Sequence, residues 1–195
     1  MAFLRSTSPA DADTEILGKA VFLRHPGMRD YVCWAELRAL SRQHLTMWEP
    51  QWSRDELTRS AFRRRLRQYQ RELRDDEGYA YLIFRSGDGA LLGGLTLSNI
   101  KRGVAQAASL GYWMGVTYAG RGYMTDAVRA LVPFAFDSLR LHRLEAACLP
   151  HNIASARVLE KSGFEREGRA RCYLKINGVW QDHDLYARLA EDPHG

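Results

Sequence analysis

After a strand-like run that ends at Tyr112-Trp113-Met114, the chain places Gly120-Arg121-Gly122 in front of a long amphipathic stretch. Two glycines there could hold an anion. The first amides of a helix have no intrahelical acceptors, the aligned peptide dipoles add partial positive charge, and glycine lets the backbone approach a phosphate or pyrophosphate closely. A tight turn that needs two positions without side chains would read the same way. Two familiar nucleotide signatures are missing: no Gly-x-x-x-x-Gly-Lys-Ser/Thr occurs, and the third spaced glycine of a dinucleotide fold is absent. A second polar group follows at Pro150-His151-Asn152-Ile153-Ala154-Ser155. Asn152 there suits a helix cap, and Ser155 puts a hydroxyl in the first helical turn.

Positioning these groups requires a strand before the glycines and a helix after them. Val128, Leu131, Val132, Ala135, Phe136 and Leu139 recur at three and four, the period of a helix with one buried face. A strand is expected over 144–149, a helix over 152–161, and strands over 166–176 and 180–189 joined at Asn177-Gly178, a strong hairpin signal. Upstream, three strands over 79–84, 91–99 and 105–114 form a meander, with Gly87-Asp88-Gly89 turning the first into the second. A first strand is expected over 16–23, ended by Pro26-Gly27, and a helix over 28–43. Another helix over 54–74 carries one stripe of Leu57, Ala61, Phe62, Leu66, Tyr69 and Leu73 and another of Arg64, Arg67, Arg71 and Arg74. Such an arginine face is ordinarily solvated surface; the alternative is a nucleic-acid site.

Several of these segments together resemble the GNAT family of N-acetyltransferases. That family holds the pyrophosphate of acetyl-CoA on a Gln/Arg-x-x-Gly-x-Gly/Ala turn and follows it with an Asn-x-x-Ala/Ser helix ending in Gly-Phe. The turn matches Ala119 through Met124, and the later motif matches Asn152-Ile153-Ala154-Ser155 through Gly163-Phe164. Further likeness is to the Rim branch, nearest the RimJ-type ribosomal-protein alanine N-acetyltransferases. It rests on Trp48-Glu49-Pro50, Ser98-Asn99, Leu110-Gly111-Tyr112, Pro150-His151-Asn152, Gly163 to Gly168 and Ile176 to His183. The chain departs from the turn pattern at Ala119 and Met124.

The resemblance implies a mixed α/β (α+β) GNAT acetyltransferase fold over 15–190, with a mostly antiparallel sheet whose strands splay to admit pantetheine. It implies acetyl-CoA as co-substrate, with Tyr112, Trp113 and Met114 along the pantetheine arm and Ala119, Gly120, Arg121, Gly122, Tyr123 and Met124 at the pyrophosphate. Asn152 and Ser155 would touch the cofactor as well. Many relatives carry a tyrosine seven residues after the asparagine as the acid for the leaving thiolate, but Leu159 stands there. Ser155 is the remaining hydroxyl on that helix and the candidate acid. Glu49 is the candidate base, a carboxylate facing the acceptor amine in a wall formed with Trp48 and Trp52, which packing beneath a loop would equally explain. Asn152 caps its helix and touches pantetheine or acceptor backbone. Cys148 has no charged sequence neighbour to activate it and reads as a buried structural thiol.

With 195 residues and a net charge of +5, the chain fits one modestly basic domain. Three cysteines without paired spacing suit reduced thiols and a cytoplasmic protein, residues 1–14 read as a flexible segment, and no run is long and apolar enough to cross a bilayer. Neither Cys-x-x-Cys nor His-Glu-x-x-His occurs, so no metal is expected. Three functions follow: acetyl transfer to a protein N-terminus, with a ribosomal protein as partner and the arginine-rich helix 54–74 as a candidate ribosome contact through RNA; transfer to a small amine or antibiotic; or a non-catalytic CoA-binding or ribosome-assembly module, which Ala119, Met124 and Leu159 would favour. An α-amine, with a pKa near 8, costs only about 1 kcal/mol to deprotonate at neutral pH, so an enzyme without a strongly marked base suits that acceptor.

Overall fold

The computed structural model describes residues 15–193, so the segment 1–14 lies outside the described residues. Its centre is one eight-stranded sheet in the order β1-β2-β3-β4-β5-β6-β8-β7. The strands are β1 (Ile16–Leu17), β2 (Val21–Arg24), β3 (Tyr79–Arg85), β4 (Leu91–Lys101), β5 (Ala107–Met114), β6 (Arg143–Cys148), β7 (Glu165–Ile176) and β8 (Val179–Leu189). The expected first strand is in fact two short antiparallel ones, with Ile16 opposite Leu23. The cause is a carboxylate from far along the chain. Asp126 accepts the backbone N–H groups of Lys19 and Ala20 at 3.0 and 2.7 Å and so holds the turn between the strands.

The helices are α1 (Tyr31–Leu40), α2 (Arg42–Thr46), α3 (Arg59–Arg74), α4 (Tyr123–Pro133) and α5 (Ile153–Lys161). The helix expected over 28–43 is therefore interrupted at Ser41, whose buried hydroxyl accepts the Val116 N–H at 2.9 Å. α3 begins later than expected, at Thr58, whose side chain accepts the Ala61 N–H. After Pro133, which has no N–H to continue the α pattern, the chain widens into a π turn over Phe134–Ser138. Val128, Leu131, Val132, Ala135, Phe136 and Leu139 are all buried, as their period required.

One side of the sheet packs on α4, the π turn and α5 through residues such as Leu95, Leu110, Leu131, Leu144 and Leu159. On the other side α1 and α3 pack through Trp34, Leu37, Phe62 and Leu66 against Leu82 and Phe84. All strand pairs are antiparallel except β5 with β6. Those two run parallel and pair only at Ala107–Arg143, Ala108–Leu144 and Ser109–Glu145. Beyond Ser109, β5 keeps only β4 and β6 keeps only β8. The sheet splits there, and among the described residues one edge of the segment from Leu110 to Met114 has no strand neighbour.

Candidate active site

The split is bounded on one side by Tyr112, Trp113 and Met114 and on the other by the end of β6, the loop after it and α5. Asn152 caps α5, its side-chain oxygen accepting the Ser155 N–H at 3.1 Å. The cap presents Ser155 toward β5, where its Oγ lies 2.8 Å from the Tyr112 hydroxyl. Burial pushes the Tyr112 phenol above its ordinary pKa, against the opposing pull of the Ser155 hydrogen bond. A phenol in that state stays protonated at neutral pH. When it donates to Ser155 Oγ, the serine proton is free to be given elsewhere.

Leu159, where many relatives carry a tyrosine, is 1% exposed and packs in the core. A phenol reaches α5 nonetheless, from β5 and not from the helix itself. Tyr112 was expected along the pantetheine arm by the family resemblance; its hydroxyl contact joins residues 43 positions apart and left no local trace in the sequence. Cys148 is buried, and burial pushes its thiol up while a hydrogen bond with Ser155 pulls the other way. It is therefore a poor nucleophile at neutral pH.

The turn before α4 has the character its glycines suggested. Gly120 and Gly122 have φ of +73° and +84°, which side-chain-bearing residues rarely adopt, and a Cβ added at either would meet nothing within 4 Å. A backbone conformation that favours glycine and open space thus coincide at the start of a helix, and among the described residues no side chain caps that end. An anionic group fits there. Arg121 is exposed, Ala119 is half-buried in extended backbone, and Tyr123 is half-buried. Met124 points into the core at 6% exposure, so the departure from the family turn at this position is a packing choice on the face away from the opening.

On the α1/α3 side of the sheet a cavity of about 340 Å³ is lined by Trp34, Trp52, Trp113, Arg38, Glu49 and Tyr69 among others. Gly94 opens it: a Cβ there would lie 2.4 Å from Trp113 Nε1, so only glycine lets the indole lie against β4. Glu49, expected to face an acceptor amine, lines this cavity but not as a free carboxylate. Its Oε1 accepts Arg38 Nη1 at 3.2 Å, and its Oε2 accepts Arg38 Nη2 at 2.6 Å and Trp52 Nε1 at 2.7 Å. The Arg38 guanidinium is 5% exposed and sits 4.5 Å from the Trp52 ring centre and 4.9 Å from that of Trp113. Arg38 was not singled out from the sequence, because a buried arginine on an arginine-bearing helix looks like its exposed neighbours. Trp48 packs beside His151, ring centres 5.5 Å apart, and the Glu49 carbonyl accepts the Asn177 N–H at 3.0 Å. The tip of the β7–β8 hairpin and the segment before α5 thereby hold the Trp48–Trp52 loop in place.

Comparison with known proteins agrees with this architecture. A family model described as "Acetyltransferase (GNAT) domain" matches residues 21–165. The "Probable N-acetyltransferase YjcK" of Bacillus subtilis (strain 168) is 40% identical over 90% of this chain and 97% of its own. The [ribosomal protein uS5]-alanine N-acetyltransferase of Escherichia coli (strain K12) is 32% identical over 81% of each chain. The structure of Mycobacterium smegmatis RimJ in complex with CoA-disulfide superposes with a TM-score of 0.83 at 33% identity, covering 88% of this chain and 82% of that one. The split sheet, the glycine turn at the head of α4 and the capped helix α5 are thus those of an acyltransferase, and the chain belongs to the GNAT family of N-acetyltransferases.

Proposed function

We propose that the protein transfers the acetyl group of acetyl-CoA to the N-terminal α-amine of a protein, by direct transfer with both substrates bound, the acceptor class being a ribosomal protein that begins with alanine. The observation that carries the acceptor class is the 32% identity with the uS5-alanine N-acetyltransferase over 81% of both chains. Acetyl-CoA supplies, when bound, an acyl thioester open to attack by an amine. The backbone N–H groups of 120–124 hold its pyrophosphate, with Arg121 adding charge at the rim. The free edge of Tyr112, Trp113 and Met114 takes the pantetheine arm by main-chain hydrogen bonds, as an added strand would. Ser155 Oγ would give its proton to the departing sulfur, and the proton that the acceptor nitrogen sheds on becoming an amide would return to Ser155 through the Tyr112 hydroxyl, which ends protonated as it began.

In this account the Arg38–Glu49 pair orients the acceptor beneath the Trp48–Trp52 loop. Glu49 is a weak candidate for the base, because both of its oxygens already accept hydrogen bonds, from the Arg38 fork and the Trp52 indole. The α-amine needs little help, and proximity of the two substrates supplies much of the rate. A second reading, a small amine as acceptor, draws on the size of the cavity, about 340 Å³, which suits a small molecule. Incubation of cell extract with the purified protein and labelled acetyl-CoA separates the two. Saturable label on protein N-termini supports the first; unlabelled proteins with label in a small-molecule fraction would replace it by the second.

A further inference from the structure

The arginines of α3 are not spread as a solvated face usually is. Residues 59–74 contain seven arginines and one glutamate, a net charge of +6, whereas the whole chain carries +5, so everything outside this helix sums to −1. The excess positive charge of the protein is one helix. Arg59 lies over the Tyr31 ring, 5.6 Å from its centre, and the other six divide in two. Arg64 pairs with Asp55, Arg65 with Glu56 and Arg74 with Asp75. Arg63, Arg67 and Arg71 are exposed and have no acidic partner among the described residues. The helix's one glutamate, Glu72, accepts instead from Gln68 at 2.7 Å.

Arg63, Arg67 and Arg71 follow one another at four-residue steps, so they share one face with a rise of about 6 Å between them. Like charges at that spacing repel and work against the helix. A solvated helix normally relieves this by interleaving acids, and none lies between these three; Asp75, one step beyond at the C-cap, is paired with Arg74. A strand of phosphates would relieve it from outside. All seven cationic residues are arginine and none lysine, which suits forked contacts with phosphate oxygens. An acidic membrane fits less well. The apolar residues Phe62 and Leu66 are buried against the sheet, leaving none on the stripe to enter a bilayer. Position adds the last point. Phe62, Arg65 and Tyr69 on the inner face of the same helix line the cavity beside Arg38 and Glu49. A polyanion on the outer face would therefore lie next to an acceptor entering that cavity.

We infer that the Arg63–Arg67–Arg71 stripe of α3 is a docking surface for the phosphate backbone of RNA adjoining the acceptor protein; the choice of RNA as the polyanion rests on the proposed ribosomal-protein acceptor. The test uses the full chain, a fluorescent RNA hairpin with a stem of about 20 base pairs, and anisotropy titrations across a range of salt concentrations. Wild type should bind with a steep salt dependence. Arg63→Ala/Arg67→Ala/Arg71→Ala should weaken binding about tenfold or more and flatten the slope of log K against log salt by about 3. Arg64→Ala, whose guanidinium is already paired, should change the slope by much less. The triple variant should melt no lower than wild type, since it loses only repulsion, and should acetylate a free peptide at the wild-type rate. Absence of RNA binding at low salt, an unchanged slope in the triple variant, or binding to phosphatidylserine vesicles in preference to RNA would overturn the inference. Loss of peptide acetylation by wild type would instead overturn the proposed function.

Discussion

The Tyr112 hydroxyl lies 2.8 Å from Ser155 Oγ, joining β5 to the first turn of α5 where the sheet opens. Because burial keeps the phenol protonated, the pair can hold one movable proton beside the place where a thiolate would leave. Ser155→Ala should lower kcat by about 10²-fold with little change in KM for acetyl-CoA, and Tyr112→Phe by about tenfold. Steady-state kinetics on the two variants and their combination provide the check. If they act as one relay, the double variant should be no worse than Ser155→Ala alone.

The raised phenol also predicts the alkaline side of the pH profile. A phenol that must stay protonated, with a folded pKa above the usual 10, leaves log kcat flat up to about pH 10. A fall beginning near pH 9 that disappears in Tyr112→Phe would show an ordinary, exposed phenol.

At the glycine turn, Gly122→Ala forces a side chain into φ of +84°. The expected cost is about 1–2 kcal/mol of stability together with about a tenfold higher KM for acetyl-CoA, since the strained backbone relaxes away from the phosphate-holding geometry. Calorimetry and kinetics on this variant report both. Gly87→Ala, at a turn residue with nothing within 4 Å and no positive φ, should do neither.

Glu49 separates orientation from proton transfer. With the Arg38 fork in place, Glu49→Gln should lower kcat/KM through poor acceptor placement, while the pH profile keeps following the acceptor's own α-amine near pH 8. Loss of the acidic limb in Glu49→Gln would make the carboxylate the base after all.

On β8, opposite Cys148, Asp184 is held at about 2 by hydrogen bonds from Arg169 and Arg166. A carboxylate depressed in the folded state stabilises it fully above its ordinary value near 4. That contribution fades as pH falls from about 4 toward 2. Melting curves of wild type and Asp184→Asn should differ most near neutral pH and converge by about pH 2.

What was readable in the sequence is what local chemistry determines. The Asn152 cap, the Asn177-Gly178 hairpin, the glycines before α4 and the apolar period behind them each depend on residues a few positions apart. The division of the first strand was not readable, because Asp126 reaches it from more than a hundred residues away. Nor was the role of the Tyr112 side chain, since strand position foretells a main-chain edge but not which helix a hydroxyl will meet. Arg38 escaped for a related reason. Its burial depends on Trp34 of α1, Trp52 of the loop after α2 and Trp113 of β5 converging on it together with Glu49, and of these only Trp34, four residues back, is local in sequence.

The most direct test of N-terminal acetyl transfer is the release of free CoA from acetyl-CoA by the purified protein. Acceptors would be peptides beginning with alanine, serine or methionine, the same peptides with blocked N-termini, and free polyamines. The account predicts turnover with the unblocked alanine peptide and none with its blocked form even when lysines are present. Equal turnover with blocked peptides, or turnover with polyamines alone, would contradict it.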